Sequence, residues 1–395
     1  MNHSRVTLAR IAAVAVLVGT LVAHGRAVRT SAAAHASAPA RAVSTITLPD
    51  GSQHTLQAPA GLEVSLFATG LPMARFMALG PRGLLFVGSS GGAVSVVLPD
   101  ATGRHASRVV TLLRGLDVPH GVAYHDGLLY VGEQHQVSTW RYDPTRVRVY
   151  GQRVIVPHLP AGSDHVTRTV SVGPDGLLYV SIGSSCNVCI ESDARRAAIM
   201  RYRVDGRGGR RYATGLRNAV GLAWQPGTGL LWATVNGRDN LGDNIPPDLL
   251  TIVHQGDNFG WPYCWGNRQA DPTVPPPAGY CARITLPTRD LQAHSAPLGL
   301  TFATGQLLPA RYRGGLFVAY HGSWNRSVPT GYKLVYVPVQ GTHAGQPQDV
   351  ITGWLPTGAS GAWGRPVGVV VAPDGSVLIS DDTAGVIYRL APRGR

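Results

Sequence analysis

The sequence predicts an all-β fold, a six-bladed β-propeller built from four-stranded antiparallel blades. A short unit recurs six times, in which a Gly-centred turn precedes apolar residues of strand type and then small or polar residues. Helical periodicity is nearly absent between the copies. The turn glycines are separated by 44, 49, 53, 86 and 60 residues, and a blade needs about 40–50. These glycines are Gly83, Gly127, Gly176, Gly229, Gly315 and Gly375.

Each copy has the signature of a β-hairpin, because glycine takes positive φ at low cost ahead of an alternating apolar run. The copies read GPRGLLFVGSS, HDGLLYVGEQ, GPDGLLYVSIGS, PGTGLLWATVNG, RYRGGLFVAYHGS and APDGSVLISDD. Two packed β-sheets are the alternative architecture. Six equal units favour closure into a ring of blades.

The segments between and before the repeats complete the domain. Residues 61–70 (GLEVSLFATG) have strand character without a repeat of their own, so we expect them to complete the last blade and close the ring. The long interval between Gly229 and Gly315 is an insertion that contains CWGNRQADPTVPPPAGYC. The propeller domain is predicted over residues 56–395, after a flexible leader at 35–55.

The N-terminus, residues 1–34, is predicted to be a signal peptide or a signal anchor. Arg5 and Arg10 precede an apolar run of 13 residues, too short for a comfortable membrane span, and small residues follow. We therefore expect export to the periplasm or the extracellular space. The mature form has no membrane span if the signal is cleaved, and an uncleaved signal would anchor it.

The chain is basic, with 35 Lys and Arg against 22 Asp and Glu, and Lys333 is its only lysine. The arginines are scattered, and no nucleic-acid-binding motif is present. The sequence therefore predicts no nucleic-acid partner. An acidic small ligand explains the excess of basic residues better than a nucleic acid does.

Four cysteines in an exported chain indicate disulfides. Proximity favours Cys186–Cys189 and Cys264–Cys281, one of three possible connectivities. Zinc binding and thioredoxin-like chemistry are weaker interpretations, because ligand spacing and a strand-helix-strand pattern are both missing.

Five stretches next to repeat strands carry polar residues that packing does not need. Because each belongs to a different blade, we expect them to converge on one face of the propeller. Arginine forks match carboxylates, and a histidine beside an aspartate suits a general base. The predicted pocket would bind a polycarboxylate and abstract a proton from a hydroxyl. Its candidates are His120, Asp164, His165, Arg217, Asn218, His321, Trp324, Asn325, Arg326 and Arg365.

A further stretch, residues 236–250 (NGRDNLGDNIPPDLL), is acidic and rich in Gly and Pro. It could offer carboxylates and carbonyls to a hard cation such as Ca²⁺, although its spacing is not that of an EF-hand. Asp, Asn and Gly also populate ordinary turns. The composition of this stretch alone therefore does not separate a calcium-binding loop from an ordinary turn.

Taken together, five motifs resemble the sorbosone/glucose dehydrogenase family, and the sorbosone dehydrogenase-like branch is the most similar. They are DHVTRTVSVGPDGLLYVSIGSSCNVC, TGLRNAVGLAW, GDNFGWPYCWG, AYHGSWNR and RPVGVVVAPDGSVLISDD, and the resemblance covers roughly residues 55–395. Members are soluble, exported six-bladed propellers that use pyrroloquinoline quinone (PQQ) and calcium.

The resemblance implies a role for each candidate. His165 matches the catalytic base, supported by Asp164, and Arg217 with Asn218 matches the pair that contacts the quinone. Arg365 matches a carboxylate-binding arginine. Arg326 would contact the cofactor in place of the family's lysine. The residues assigned to substrate are His120, Asp164 and Trp324. Gly242 and Asp243 are assigned to calcium.

The resulting expectation is a quinoprotein that oxidises an aldose or related aldehyde by hydride transfer to PQQ and passes electrons to an external acceptor. The alternatives are a non-catalytic binding propeller and a calcium-dependent lactonase. Asp164 and His165 are expected on the catalytic face. Cys186–Cys189 is expected to stiffen a loop beyond the other end of the strand that follows them.

Overall fold

Six four-stranded antiparallel sheets surround a central channel in the computed structural model, which describes residues 40–162 and 164–395. Blade 1 comprises β4 (Ala74–Leu79), β5 (Leu85–Ser89), β6 (Val94–Pro99) and β7 (Ala106–Leu113). Blade 2 comprises β8 (Gly121–His125), β9 (Leu128–Gly132), β10 (Val137–Asp143) and β11 (Arg148–Val156). Blade 3 comprises β12 (Arg168–Val172), β13 (Leu177–Ile182), β14 (Ala198–Arg203) and β15 (Arg210–Thr214).

The other three blades have the same order of strands from the channel outward. Blade 4 comprises β16 (Asn218–Trp224), β17 (Leu231–Asn236), β18 (Asp248–Val253) and β21 (Arg289–Leu291). Blade 5 comprises β22 (Pro297–Phe302), β23 (Leu316–Tyr320), β24 (Lys333–Val337) and β27 (Gln348–Ile351). Blade 6 comprises β28 (Pro366–Val371), β29 (Val377–Asp381), β30 (Val386–Pro392) and β3 (Leu62–Ala68). The predicted six-bladed propeller is confirmed.

Blade 6 closes the ring with an N-terminal strand, as the sequence predicts. Strand β3 pairs antiparallel with β30, so that Val64 lies opposite Leu390. The innermost strands, β4, β8, β12, β16, β22 and β28, each pack against the next around the channel. At Gly221 a Cβ would lie 2.1 Å from the carbonyl oxygen of Leu298 in the neighbouring blade, so only glycine permits this approach.

Residues 41–55, predicted to be part of a flexible leader, instead form most of a regular hairpin. Strands β1 (Arg41–Thr47) and β2 (Gln53–Pro59) pair antiparallel. Leu56 is buried in a core that it shares with blades 5 and 6. The signals for this hairpin are its alternating pattern and the Asp50–Gly51 turn, in which Gly51 has φ of 85°. The predicted signal segment, residues 1–34, lies outside the described residues.

The remaining elements are short. Two small hairpins, β19 (Cys264–Trp265) with β20 (Gln269–Ala270) and β25 (Val339–Gln340) with β26 (His343–Ala344), extend from blades 4 and 5. Single 3₁₀ turns occur at Pro81–Gly83, Cys281–Arg283 and Ala310–Tyr312. Across residues 40–162 and 164–395, no helix is long and apolar enough to span a membrane.

Both predicted disulfides are confirmed. Cys264–Cys281 closes the insertion of blade 4, and Cys186–Cys189 closes a short ring after β13. The Cys186–Cys189 ring was expected at the far end of the strand from His165, and this expectation is wrong. Strands β12 and β13 form a hairpin in which Arg168 lies opposite Ile182, so the chain returns to the face at which β12 begins. His165 and the ring are neighbours.

Candidate active site

Polar residues gather at the face where the six inner strands begin, here called the top face. All six strands run in the same direction along the channel, so their first residues lie together. Four arginines and three histidines lie at the first two residues of these strands or within three residues before them. They are Arg75, His120, His165, Arg168, Arg217, His294 and Arg365.

One cavity of about 170 Å³ opens in this face between blades 3, 4 and 5. Five of its lining residues, His165, Arg217, Asn218, Trp324 and Asn325, were predicted site residues. We call this cavity the His165 pocket. The rest of its lining is Asn236, Gly237, Asp239, Asp248, His294 and Ala296.

His165 is held in one orientation by Ser184. Its Nδ1 lies 3.0 Å from both the carbonyl oxygen and the hydroxyl oxygen of Ser184. The hydroxyl donates its own hydrogen to the carbonyl of Cys186 at 2.7 Å, so both oxygens act as acceptors and Nδ1 carries the ring proton. Nε2 is therefore the nitrogen with an available lone pair, and it has no hydrogen-bond partner among the described residues.

The imidazole of His165 is neutral at pH 7. Burial and, to a smaller extent, the positive charge of Arg217 lower its pKa from 6.5 to about 3. Space for the ring exists because residue 183 is glycine. A Cβ there would lie 2.6 Å from both His165 Cβ and Asn218 Oδ1.

Arg217 is almost fully bonded within the protein. Its Nε donates to the carbonyl of Asn187 at 2.9 Å, and one terminal nitrogen donates to the carbonyl of Gly237 at 2.6 Å. The other donates to Asn187 Oδ1 at 3.0 Å and to Asp239 Oδ2 at 2.9 Å. Burial lowers the pKa of Arg217, and the charge of Asp239 opposes that effect.

Asp239 joins the loops of blades 4 and 5. Its Oδ1 accepts a hydrogen bond of 2.8 Å from Asn325 Nδ2. Asn325 Oδ1 is buried and has no partner among the described residues. Beside it, Trp324 is 73% exposed. The pocket thus offers an unpaired amide oxygen and an accessible aromatic face.

Asp248 lies at the base of the pocket and is fully buried. It accepts backbone hydrogen bonds from Gly237 at 2.8 Å and Ala296 at 3.0 Å. Burial raises the pKa of this carboxyl to about 7. A cation in the pocket would favour its charged form.

A second polar group on the top face is bonded within itself, and we call it the Arg75–Asp382 cluster. Arg75 forms an ion pair of 2.5 Å with Asp382 and donates from Nε to His120 Nδ1 at 3.2 Å. His321 Nε2 lies 3.0 Å from Asp382 Oδ2. Burial raises the pKa of Asp382, but His321 and Arg75 outweigh it and hold the pKa below its usual range. Burial lowers the pKa of His321 to about 4.

Two arginines predicted to bind the cofactor do not line the His165 pocket. Arg326 donates to the carbonyls of Asp243 and Ala293 and so ties two loops together. Arg365 donates to the carbonyls of His321 at 3.1 Å and Gly322 at 2.7 Å. Neither guanidinium has a carboxylate partner among the described residues.

Two residues predicted to contact substrate are also placed differently from expectation. His120 is fully buried against Phe76 and has no exposed surface to offer a substrate. Asp164 is exposed, and its backbone N–H donates to the carbonyl of Ser185 at 3.3 Å. Its side chain does not line the pocket.

The oxygen atoms of Gly242 and Asp243 are already engaged by other residues. The carbonyl of Gly242 accepts a hydrogen bond of 2.9 Å from His294 Nε2, and the carboxylate of Asp243 binds Ser327. No cluster of three acidic or histidine ligands forms around them in the described part of the chain. The calcium site at these two residues stays a prediction.

Sequence reasoning assigned no role to several residues of the top face. His294 and Arg75 could have been found by their position at the start of an inner strand, which is the signal that located His165. Asp239 and Asp382 follow β17 and β29, whose ends return to the same face. Asp239 belongs to the acidic stretch 236–250, whereas nothing local distinguishes Asp382 from an ordinary turn residue.

A larger cavity, about 440 Å³, lies at the opposite end of the channel. It is lined by the ends of the inner strands, with residues such as Leu79, Tyr124, Trp224 and Val371. It brings together no set of acids, bases and cations. The candidate site residues described above lie on the top face.

Comparison with known proteins agrees with this architecture. Residues 56–278 and 277–393 match the family described as TrAA12-like. The chain belongs to the TrAA12-like family. An uncharacterized protein from Borreliella burgdorferi is 30% identical over 88% of this chain and 94% of its own length.

Relatives of this family member include characterised enzymes. The pyrroloquinoline quinone-dependent pyranose dehydrogenase of Coprinopsis cinerea is 26% identical over 83% of this chain, which spans only 53% of that protein. The holo form of its PQQ domain has the same fold, with a TM-score of 0.76 at 24% identity over 88% of this chain and 98% of the domain. The sorbosone dehydrogenase-like branch stays a prediction.

Proposed function

We propose that this protein is a PQQ-dependent dehydrogenase that oxidises a sugar or a related aldehyde. The observation that carries the proposal is His165, a neutral imidazole whose unpaired Nε2 lies in a cavity beside Arg217. The names of two relatives support the cofactor class, a PQQ-dependent pyranose dehydrogenase and a PQQ-dependent sugar dehydrogenase of Hypocrea jecorina.

The residues of the top face fit a polyanionic cofactor. PQQ carries three carboxylates, and cationic side chains bind them best through charge-assisted hydrogen bonds. In the described residues Arg365, Arg168 and Arg196 donate only to carbonyl oxygens, so no bonded carboxylate balances their charge. Arg217 and Asn218 line the cavity and would hold the cofactor there. When bound, PQQ supplies the hydride acceptor.

His165 would take the proton of the substrate hydroxyl at Nε2. Ser184 fixes the tautomer by accepting from Nδ1, so the lone pair points away from Ser184. Burial and the nearby positive charge keep the imidazole neutral before reaction. Binding of an anionic cofactor would offset that charge and raise the pKa of His165, which would make it a stronger base.

The blade 5 loop would contribute to substrate binding. Trp324 offers an exposed aromatic face of the kind that packs against a sugar ring. Asn325 Oδ1 is an unpaired acceptor for a hydroxyl. Asp164, exposed at the rim near His165, remains a candidate for a polar contact with the substrate.

Calcium stays part of the proposal, and Gly242 and Asp243 stay its predicted ligands, because oxygen is the ligand that Ca²⁺ prefers. We further propose that the protein is exported and passes its electrons to an external acceptor. A sorbosone-type or aldose-type substrate is part of the same proposal.

The direct test is dye-linked oxidation of a panel of aldoses and aldehydes by the purified protein. We expect turnover only when PQQ and Ca²⁺ have been added. No dye reduction by any substrate with saturating cofactor would contradict the proposal and favour a non-catalytic binding propeller.

Thermal unfolding supplies a second measurement that does not need the substrate. A ligand that binds only the native state stabilises it by about 2.7 kcal/mol at a hundredfold excess over Kd. Arg217→Ala should shrink the rise in Tm that PQQ causes. The matched control is Arg268→Ala, an exposed arginine bonded only to the carbonyl of Ala282, which should leave the rise intact.

A further inference from the structure

The ring closed by Cys186 and Cys189 borders the His165 pocket, although its residues are not among those that line it. It encloses only Asn187 and Val188. The hairpin of β12 and β13 returns the chain to the top face, which puts this ring between His165 and Arg217. Packing alone does not explain why its polar atoms are directed at those two residues.

Asn187 bonds the two charged residues of the pocket through every polar group of its side chain. Asn187 Oδ1 accepts from Arg217 at 3.0 Å and from the backbone N–H of Asp239 at 2.8 Å. Asn187 Nδ2 donates to the carbonyl of Asp239 at 3.2 Å. An amide is the side chain that both donates and accepts in this arrangement.

The backbone of the ring adds a second restraint on Arg217. The carbonyl of Asn187 accepts from Arg217 Nε at 2.9 Å and from Trp261 Nε1 at 3.3 Å. When one residue accepts hydrogen bonds from both Nε and a terminal nitrogen of an arginine, the guanidinium cannot rotate about the bonds of its side chain. The direction of the Arg217 charge therefore depends on where Asn187 lies.

The same segment orients the base. Ser184 accepts from His165 Nδ1, and its hydroxyl donates to the carbonyl of Cys186, a member of the ring. Ser185 is fixed in turn by Glu191, which accepts from its backbone N–H at 2.6 Å and from its hydroxyl at 2.8 Å. Residues 184–191 thus link His165 to Arg217 by one continuous set of hydrogen bonds.

We propose that Asn187 is a positioning residue of the reaction, held by the Cys186–Cys189 disulfide, which fixes Arg217 relative to His165. This inference rests on the proposed function for its role in turnover. Its structural part, the restraint of Arg217, does not depend on the cofactor and can be measured without it.

The first experiment compares Asn187→Ala with Val188→Ala, a matched change in the same ring at a residue that makes no polar contact with the pocket. Loss of positioning commonly costs about 10- to 100-fold. We expect a fall of that size in kcat for Asn187→Ala and weaker PQQ binding, with KM for the substrate nearly unchanged. Val188→Ala should stay within about twofold of the wild type. Equal kcat and PQQ affinity in wild type and Asn187→Ala would overturn the proposal.

The second experiment opens each disulfide in turn. The Cys186–Cys189 ring is too short to restrict the unfolded chain much, whereas Cys264–Cys281 closes a longer loop. Cys186→Ser/Cys189→Ser should therefore lower kcat by about tenfold or more with a small change in Tm. Cys264→Ser/Cys281→Ser should lower Tm more and leave kcat of the folded protein near that of the wild type. The reverse pattern would overturn the proposal.

The third experiment uses the protein without cofactor, so that its outcome is independent of the proposed function. Hydrogen exchange at the Arg217 Nε–H is measured by NMR. We expect exchange about tenfold faster or more in Cys186→Ser/Cys189→Ser than in the wild type, and no change in Cys264→Ser/Cys281→Ser. Unchanged exchange in both would overturn the positioning role. Faster exchange in Cys186→Ser/Cys189→Ser, together with a wild-type protein that reduces no dye, would overturn the dehydrogenase and leave the restraint established.

Discussion

Two groups of the same residue types lie on one face of the propeller and differ in whether their unpaired atoms face a cavity. In the Arg75–Asp382 cluster, the carboxylate binds both the arginine and His321, the charges balance inside the protein, and the unpaired His120 Nε2 is fully buried. In the His165 pocket, an arginine and an aspartate also pair, but His165 Nε2 and Asn325 Oδ1 have no partner among the described residues. A cavity lies in front of them.

The comparison teaches that residue type alone does not separate a reactive site from a structural one. Arginine, histidine and aspartate at the start of an inner strand serve either purpose. Unused bonding capacity next to accessible space marks the reactive group. The cluster should therefore govern stability, and the pocket should govern turnover.

The largest effect should come from removing the base. His165→Ala should lower kcat by ~10²–10⁴-fold, because a positioned general base contributes about that much. Its Tm should change little, because a neutral histidine with an unpaired nitrogen adds little to stability. Steady-state dye reduction and a melting curve on one preparation measure both. An unchanged kcat would remove His165 from the mechanism.

A substitution in the Arg75–Asp382 cluster should have the opposite result, a large loss of stability. Asp382→Ala leaves Arg75 buried without its carboxylate, and breaking such a pair costs about 3–5 kcal/mol of unfolding free energy. Urea denaturation at pH 7 measures it. The exposed pair of Arg203 and Asp205 is the control, and Asp205→Ala should leave the unfolding free energy nearly unchanged. Similar small losses for both variants would show that the cluster is not the stabilising group.

The smallest expected effect is on the pH dependence of stability, to which His165 and Asp248 contribute with opposite signs. The pKa of His165 falls from 6.5 to about 3 on folding, so its contribution to stability declines as pH drops below about 6.5. The pKa of Asp248 rises from 3.8 to about 7, so its contribution declines as pH rises through that range. The two residues act in opposite directions between pH 5 and pH 7.

Replacement of each should expose these opposing contributions. Relative to wild type, His165→Gln should gain about 2 kcal/mol of stability at pH 5 compared with pH 7, and Asp248→Asn should lose a similar amount. Urea denaturation at the two pH values measures the difference. A shift of the same sign in both variants would contradict the assigned protonation states.

The hairpin at residues 41–55 shows where the interpretation of the sequence was incomplete. Its alternating pattern and Asp–Gly turn were present, but they lay outside the six repeats and were taken for a leader. By contrast, β3 was identified as the closing strand, because a ring of blades needs a partner for its last sheet. Local patterns are informative when the architecture says where to apply them.

The sequence by itself determined the propeller, both disulfide pairings and the position of His165 before an inner strand. These follow from turn chemistry, strand periodicity and chain proximity, all of which act over a few residues. The tertiary structure alone decided which polar residues share a cavity. Arg326 and Arg365 bind carbonyls instead of lining it, and the β12–β13 hairpin brings Asn187 back to Arg217. Such contacts join different blades or the two ends of a hairpin, and their geometry depends on how the loops fold over the top face, which no local pattern encodes.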